Sequence, residues 1–203
     1  MKFAKRMKGL DSAIFSTLEI KKKELVSQGR EVFDFGTGTP DIPPAPHIVK
    51  ALQDAAGDPE NYKYAIKDLP ELIEAAIEWY SRRYGVSLER DEVMSLAGSQ
   101  DGLAHISLTL ADDCDTVLVP DPGYPIFSIG PSMACSSLYK MPLLKENDFL
   151  IDFDSIEPSV AHAAKLMIVS YPNNPVTAVA PYSFYEKLVW FAKKYDIVVV
   201  HDN

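Results

Sequence analysis

Four segments of the sequence place groups that are able to bind a ligand next to apolar runs. The segments are Gly98-Ser99-Gln100, Asp121-Pro122-Gly123-Tyr124-Pro125, Pro172-Asn173-Asn174-Pro175 and His201-Asp202. Short apolar runs that alternate with helical stretches are typical of parallel strands, and ligands bind at the carboxyl ends of such strands. The order of the segments therefore predicts one ligand site along one edge of a sheet.

The first segment is suited to an anion. Ser99 and Gln100 open a predicted helix, and the unpaired N–H groups of a helix N-terminus attract negative charge. The alternative is an ordinary helix cap formed by the Ser99 side chain. Gly98 and Gly102 match neither the Walker nor the dinucleotide-binding spacing, so neither a nucleoside triphosphate nor a nicotinamide cofactor is indicated.

The second segment is suited to a flat heterocycle. Two prolines, Pro122 and Pro125, restrain Tyr124, whose ring has a face on which a heterocycle stacks. The alternative is a turn in which Tyr124 packs on its own loop. In isolation, this segment does not decide between the two.

The last two segments supply an amide and a carboxylate. Asn174 is able to donate to a phenolate-like oxygen, or to form an Asx-type turn. Asp202 is able to pair with a protonated ring nitrogen, which keeps the ring an electron acceptor, or to cap a helix that follows it.

Apolar runs and helical stretches alternate through the second half of the chain. The predicted strands are Val93–Leu96, Thr116–Val119, Ser137–Leu138–Tyr139, Leu166–Val169 and Ile197–Val200, and helices are predicted from Gly98 to about Leu110, after Pro125 to about Ala134, and from Pro181 to Tyr195. This alternation predicts an α/β protein with a mostly parallel sheet covered by helices on both faces.

The first half of the chain is predicted to be helical and loop-rich. The clearest helix runs from about Leu69 to Tyr84, with Asp68 as its N-cap and Gly85 just after its end. It follows an arm or peripheral helix up to about Arg30, a loop from Phe33 to Pro46 and a short helix from His47 to Ala56.

Composition narrows the function classes. The net charge of −9 argues against a nucleic-acid or anionic-membrane surface. The sequence has no apolar stretch long enough for a bilayer and no signal-peptide core, so a cytoplasmic location is predicted. Cys114 and Cys135 are predicted to be reduced thiols in or near the core, and the four histidines have no metal-ligand spacing.

Taken in order and at their spacing, these segments resemble the class I/II aminotransferases, the fold-type I family of pyridoxal 5′-phosphate enzymes. The resemblance covers nearly the whole chain and is nearest to the aspartate, alanine and LL-diaminopimelate branch. It rests on the four segments above together with Gly36–Pro44 and Tyr64–Tyr84. It implies the large domain of such an enzyme, pyridoxal 5′-phosphate as cofactor, and amino-acid and 2-oxo-acid substrates.

The resemblance also implies a role for individual residues. The Ser99 and Gln100 amides correspond to the phosphate cradle, Tyr124 to the ring stacked on the cofactor, Asn174 to the donor to its phenolic oxygen, and Asp202 to the acid at its pyridine nitrogen. Gly38 corresponds to a backbone contact with the substrate carboxylate. Tyr64, with Tyr62 as the alternative, corresponds to a tyrosine that reaches the phosphate across a homodimer interface.

The sequence departs from the family pattern in three respects. Asp68 stands where relatives often have glycine, and Val176-Thr177-Ala178 replaces the usual Thr-Gly, which removes glycine's backbone freedom. The third departure is length, because the family's Schiff-base lysine follows the segment at which this sequence ends. We therefore expect an N-terminal fragment, with residues 1–45 as an arm and part of the small domain and residues 46–203 as a truncated cofactor-binding domain.

The expected activity of the parent protein is amino-group transfer between an amino acid and a 2-oxo acid. Without the lysine, no catalytic residue is assigned and this chain alone is predicted to be inactive. Two other classes remain: a non-catalytic module that binds a phosphate-bearing ligand, and an assembly half that needs a separate C-terminal partner. No metal, nucleic acid or membrane is expected to take part.

Overall fold

A computed structural model describes residues 2–7, 14–36, 38, 40–134 and 136–203. It divides into two compact units, Asp11–Ser95 and the combination of Met1–Leu10 with Leu96–Asn203. These units do not test the predicted domain boundary after residue 45, which stays a prediction.

The unit that spans Asp11–Ser95 is helical. Its α-helices are α1 (Ile14–Ser27), α2 (Pro46–Ala56) and α3 (Pro70–Tyr84), with short 3₁₀ turns at Pro59–Tyr62 and Arg90–Glu92. The three helices agree with the sequence prediction to within a few residues at their ends. Proline occupies the first turn of α2 and of α3, where its missing N–H removes no helical hydrogen bond.

The N-cap prediction for α3 is wrong. Leu69 occupies the cap position and provides no side-chain hydrogen bond. The Asp68 carboxylate instead accepts hydrogen bonds from the backbone N–H of Ser95, at 3.3 Å, and from the Ser95 hydroxyl. The Asp68 carboxylate therefore bonds to a donor 27 residues away instead of capping the N-terminus of α3.

The other unit contains the sheet. Its elements are α4 (Ser99–Leu110), β1 (Thr116–Asp121), α5 (Ile126–Met133), β2 (Ser137–Pro142), α6 (Pro158–Ala163), β3 (Ala164–Ser170), α7 (Tyr182–Tyr195) and β4 (Val198–Asp202), with 3₁₀ turns at Lys5–Met7, Lys145–Asn147 and Phe153–Ser155. The strand order is β2-β1-β3-β4, and each neighbouring pair is parallel. This confirms the predicted α/β class.

Successive side chains of β1 and β3 point to opposite faces of the sheet. Because these side chains are apolar, both faces are apolar, and helices cover both. On one face, Leu118 and Met167 pack in a cluster that includes Phe184 and Phe191 of α7. On the other face, the second cluster joins side chains of β1 and β3 to one residue each from α4 and α5, and comprises Val117, Val119, Leu166, Ile168, Leu103, Phe127 and Ala111. Each fully buried large apolar side chain contributes about 1.5–3 kcal/mol of hydrophobic stabilisation.

The prediction of a strand at Val93–Leu96 is wrong. This segment is extended but belongs to no β-ladder, and the described sheet consists of the four strands β1 to β4. A strand requires a hydrogen-bonded partner, which an apolar run cannot supply by itself.

Two further expectations concern thiols and membranes. Cys114 is a free, exposed cysteine rather than a core residue, while Cys135 lies outside the described residues. In the part of the chain that the structure describes, no helix combines the length and the apolar character needed to cross a bilayer.

The C-terminus of α3 gives a stability prediction. Gly85 adopts the left-handed conformation, with φ of 67°, so a Gly85→Ala variant is expected to lose about 1 kcal/mol of unfolding free energy. Gly57, after α2, has φ of −80°, and Gly57→Ala is the matched control, expected to be neutral or stabilising by less than about 1 kcal/mol. Urea unfolding of the whole chain measures both, and equal effects would contradict this account of Gly85.

Candidate functional site

The carboxyl ends of the four parallel strands meet at one edge of the sheet, and three of them carry the groups considered below. Strand β1 ends at Asp121, β3 at Ser170 and β4 at Asp202, and Ser170 is paired directly with Asp202. We call this the carboxyl edge. Because the strands are parallel, the loops that follow β1 and β3 leave from the same edge at which Asp202 lies.

The N-terminus of α4 has free backbone donors. Gly98 occupies the cap position with φ of 88°, and no side chain caps the helix. Ser99 is the first helical residue, so the alternative in which it is the N-cap is wrong. The Asp101 N–H donates to the Gly98 carbonyl at 3.1 Å, and within the described residues the Ser99 and Gln100 N–H groups have no hydrogen-bond partner.

An acidic side chain also lies in the first turn of α4. One oxygen of the Asp101 carboxylate accepts from the Ala97 N–H at 3.4 Å, and the other lies 3.0 Å from Nδ1 of His105. Both oxygens of the Asp101 carboxylate therefore have polar contacts. An anion bound here would be attracted by the Ser99 and Gln100 N–H groups and repelled by the Asp101 carboxylate.

One hydrogen bond joins α4 to the loop after β1. The Gln100 side-chain amide donates to the Tyr124 hydroxyl at 2.6 Å. The Tyr124 ring is half-buried and meets the Phe127 ring edge-to-face, with 6.2 Å between centroids. Tyr124 is thus fixed at its hydroxyl by α4 and at its ring by α5, which brings the first two predicted segments together.

In the loop after β3, the two asparagines have different roles. The Asn173 side-chain oxygen accepts from the Val176 N–H at 3.2 Å, so the Asx-type turn belongs to Asn173. Asn174 is exposed, and within the described residues its side-chain amide makes no hydrogen bond. Its amide is therefore available to a ligand at the carboxyl edge.

The ends of β3 and β4 are joined by a contact that sequence reasoning missed. The His201 Nε2 lies 3.1 Å from the Tyr171 carbonyl oxygen, a geometry in which the ring nitrogen donates. Asp202, the next residue, is half-buried and forms no ion pair with another described residue. The only indication of this contact in the sequence is that His201 directly precedes Asp202.

Tyr171 ties the same region to a third segment. Its hydroxyl accepts from the Ile151 N–H at 3.0 Å and donates to the Phe149 carbonyl at 3.2 Å. Burial raises the pKa of Tyr171 to about 12, although the Ile151 N–H favours the phenolate. This neutral phenol anchors the start of the loop that contains Asn174.

Two predicted site residues lie in the other unit. Gly38 and Tyr64 both belong to the Asp11–Ser95 unit and are exposed, Tyr64 to 90%. The hydroxyl of Tyr62, the alternative to Tyr64, donates to the Ala56 carbonyl at 2.6 Å. Among the described residues, no group of three or more His, Cys, Asp or Glu side chains is arranged to hold a metal ion.

Comparison with known proteins identifies the family. The family model for aminotransferase class I and II matches residues 30–203. The chain belongs to this aminotransferase family. Two curated relatives are LL-diaminopimelate aminotransferases, from Moorella thermoacetica (43% identical, 100% of this chain and 52% of the relative) and Aquifex aeolicus (42% identical, 99% and 52%).

Solved structures share the fold, among them an alanine aminotransferase from Pyrococcus furiosus (TM-score 0.89, 28% identical, 99% of this chain and 52% of that protein). Apo BacF from Bacillus subtilis superposes with a TM-score of 0.91 at 39% identity, over 100% of this chain and 52% of that protein. The chain thus spans about half the length of the relatives it matches, and corresponds to an N-terminal part of an aminotransferase of this class. The predicted family and its fold-type I architecture are confirmed.

The Tyr171 anchor predicts a pH dependence. Its pKa is near 10.0 in an unfolded chain and about 12 in the fold, so its contribution to stability is complete below pH 10 and is lost as pH rises towards 12. Burial also raises the pKa of Tyr185, which adds in the same direction. Urea midpoints measured across this range are expected to fall for the wild type.

Removing the hydroxyl isolates the Tyr171 contribution. Tyr171→Phe leaves the Ile151 N–H without its acceptor, and we expect a loss of about 1–3 kcal/mol at neutral pH with a shallower alkaline decline. Tyr182→Phe, at a residue that is 80% exposed, is the matched control. An alkaline decline as steep in Tyr171→Phe as in the wild type would refute the assignment.

Proposed function

We propose that the carboxyl edge of this chain is the pyridoxal 5′-phosphate site of an aminotransferase. The supporting observation is that an uncapped helix N-terminus, a restrained tyrosine, an unbonded amide and a half-buried carboxylate belong to segments that begin or end at one sheet edge. Each group has chemistry that matches one part of that cofactor.

The phosphate is assigned to the N-terminus of α4. The free Ser99 and Gln100 N–H groups and the helix dipole attract a dianion, and Gly98 leaves open space beside them, since an added Cβ there would meet no atom within 4 Å. The Gln100–Tyr124 hydrogen bond fixes the distance between this phosphate position and the stacking ring.

The ring is assigned to Tyr124, Asn174 and Asp202. Tyr124 would stack on the ring, the Asn174 amide would donate to its phenolic oxygen, and the Asp202 carboxylate would pair with its nitrogen. When bound, the cofactor supplies an electron sink for the carbanion that amino-group transfer requires. Asp202 would promote that chemistry by holding a proton on the ring nitrogen.

We propose the substrates from the relatives. The parent protein transfers an amino group between an amino acid and a 2-oxo acid. LL-diaminopimelate is the favoured amino donor, because four relatives above 40% identity carry that activity in their names. Gly38 would contact the substrate carboxylate, and Tyr64 would reach the phosphate of a partner in a homodimer. These relatives do not favour a non-catalytic module or an assembly half.

The cofactor assignment is tested by titrating this chain with pyridoxine 5′-phosphate, which lacks the aldehyde and so cannot react with surface lysines. We expect saturable binding that Tyr124→Ala weakens by about tenfold, or about 1.4 kcal/mol. Tyr182→Ala, which removes an aromatic ring that is 80% exposed, is the matched control and should leave affinity unchanged. Absence of saturable binding would refute the site.

The acid assignment has its own pair of variants. Asp202→Asn removes the charge that holds a proton on the ring nitrogen, and we expect the ultraviolet spectrum of the bound ligand to shift towards the unprotonated ring. Asp196→Asn, at the end of α7, is an isosteric control in a left-handed position that asparagine accepts readily. A spectrum that is identical for Asp202→Asn and the wild type would exclude Asp202 from the site.

A further inference from the structure

The loop that follows β3 is closed by Asn173. Its N–H donates to the Ala178 carbonyl at 2.9 Å, its carbonyl accepts from the Thr177 N–H at 2.7 Å, and its side-chain oxygen accepts from the Val176 N–H at 3.2 Å. We call residues 173–178 the Asn173 loop. One residue thus provides three hydrogen bonds that fold the loop back on its own beginning.

The Asn173 loop contains a residue in an unfavourable conformation. Thr177 has φ of 59°, in the left-handed region that β-branched residues seldom occupy. Such a conformation persists only where surrounding contacts over-determine it. Here the Thr177 N–H is held by the Asn173 carbonyl, and the neighbouring Val176 N–H is held by the Asn173 side chain.

Asn173 is buried at a free-energy penalty. Only 3% of its surface is exposed, and its side-chain nitrogen has no hydrogen-bond partner among the described residues. A buried, unpaired N–H group costs about 1–3 kcal/mol. An apolar residue at this position would avoid that penalty, but it would provide no acceptor for the Val176 N–H.

We propose that Asn173 is a positioning residue that holds the backbone from which the Asn174 amide extends. Asn174 is the next residue along the chain, and its exposed side chain lies at the start of the closed loop. With the loop closed, the backbone that carries the Asn174 side chain is held at the carboxyl edge before any ligand binds. The inference rests on the proposed function for what Asn174 binds, but loop closure itself does not depend on it.

Loop closure is measured by NMR on the labelled chain without ligand. Asn173→Ala is expected to speed hydrogen exchange at the Val176 and Thr177 amides by about three- to tenfold, the equivalent of one ordinary hydrogen bond. Asn147→Ala, at an exposed asparagine of the same unit, is the matched control. If Asn173→Ala does not fold, Asn173→Ser takes its place, because its hydroxyl accepts more weakly. Unchanged exchange overturns the inference.

Positioning is separated from general stability by a double-mutant cycle with pyridoxine 5′-phosphate. Asn173→Ala is expected to weaken affinity by about three- to tenfold in the wild-type background, but by less than about twofold in the Asn174→Ala background. Equal losses in both backgrounds overturn the positioning role. Failure of the wild type to bind while exchange responds as expected refutes the proposed function and upholds loop closure.

A rescue variant tests whether the left-handed backbone of Thr177 is a reason that the loop depends on Asn173. Glycine occupies positive φ without strain, so Thr177→Gly in the Asn173→Ala background is expected to restore at least half of the protection lost at the residue 177 amide, whose acceptor, the Asn173 backbone carbonyl, is kept in both variants. No recovery would contradict the part played by the strained Thr177 backbone.

Discussion

Everything at the site depends on the parallel pairing of β1, β3 and β4. Parallel strands have their carboxyl ends at one edge of the sheet. Residues as far apart in sequence as Tyr124 and Asp202 therefore lie at the same edge. The pairing is itself secured by the two apolar clusters, one on each face, to which β1 and β3 both contribute. The core therefore determines where the loops begin, and the loops determine which polar groups a ligand meets.

A second layer of order comes from a few hydrogen bonds between loops. Gln100 links α4 to the loop after β1, and the His201 ring links β4 to the start of the loop after β3. Tyr171 then connects that start to the segment at Phe149–Ile151. In the part of the chain that the structure describes, the Asn174 amide has no hydrogen bond and the Asp202 carboxylate has no ion pair. A preorganised site is expected to have supporting residues that are bonded and ligand-binding groups that are not.

Much of this arrangement could be predicted from local sequence. The runs at Thr116–Val119 and Leu166–Val169 are apolar throughout, and such runs predict central parallel strands. The errors arose where local sequence does not specify whether a segment has a hydrogen-bonding partner, or which one. Val93–Leu96 has the composition of a strand but no ladder, and Asp68 bonds Ser95 instead of its own helix. For Asn174 the sequence left a donor role and a turn as alternatives. The structure assigns the turn to Asn173, and the Asn174 amide makes no hydrogen bond with any described residue.

The central claim is that one ligand engages the whole carboxyl edge, and amide chemical shifts measured during a pyridoxine 5′-phosphate titration test it most directly. The account predicts that the signals of Ser99, Gln100, Asn174 and Asp202 move together, with a single dissociation constant, while those at the far ends of the strands stay fixed. Shifts confined to one of these segments, or four segments that titrate with different constants, would contradict it.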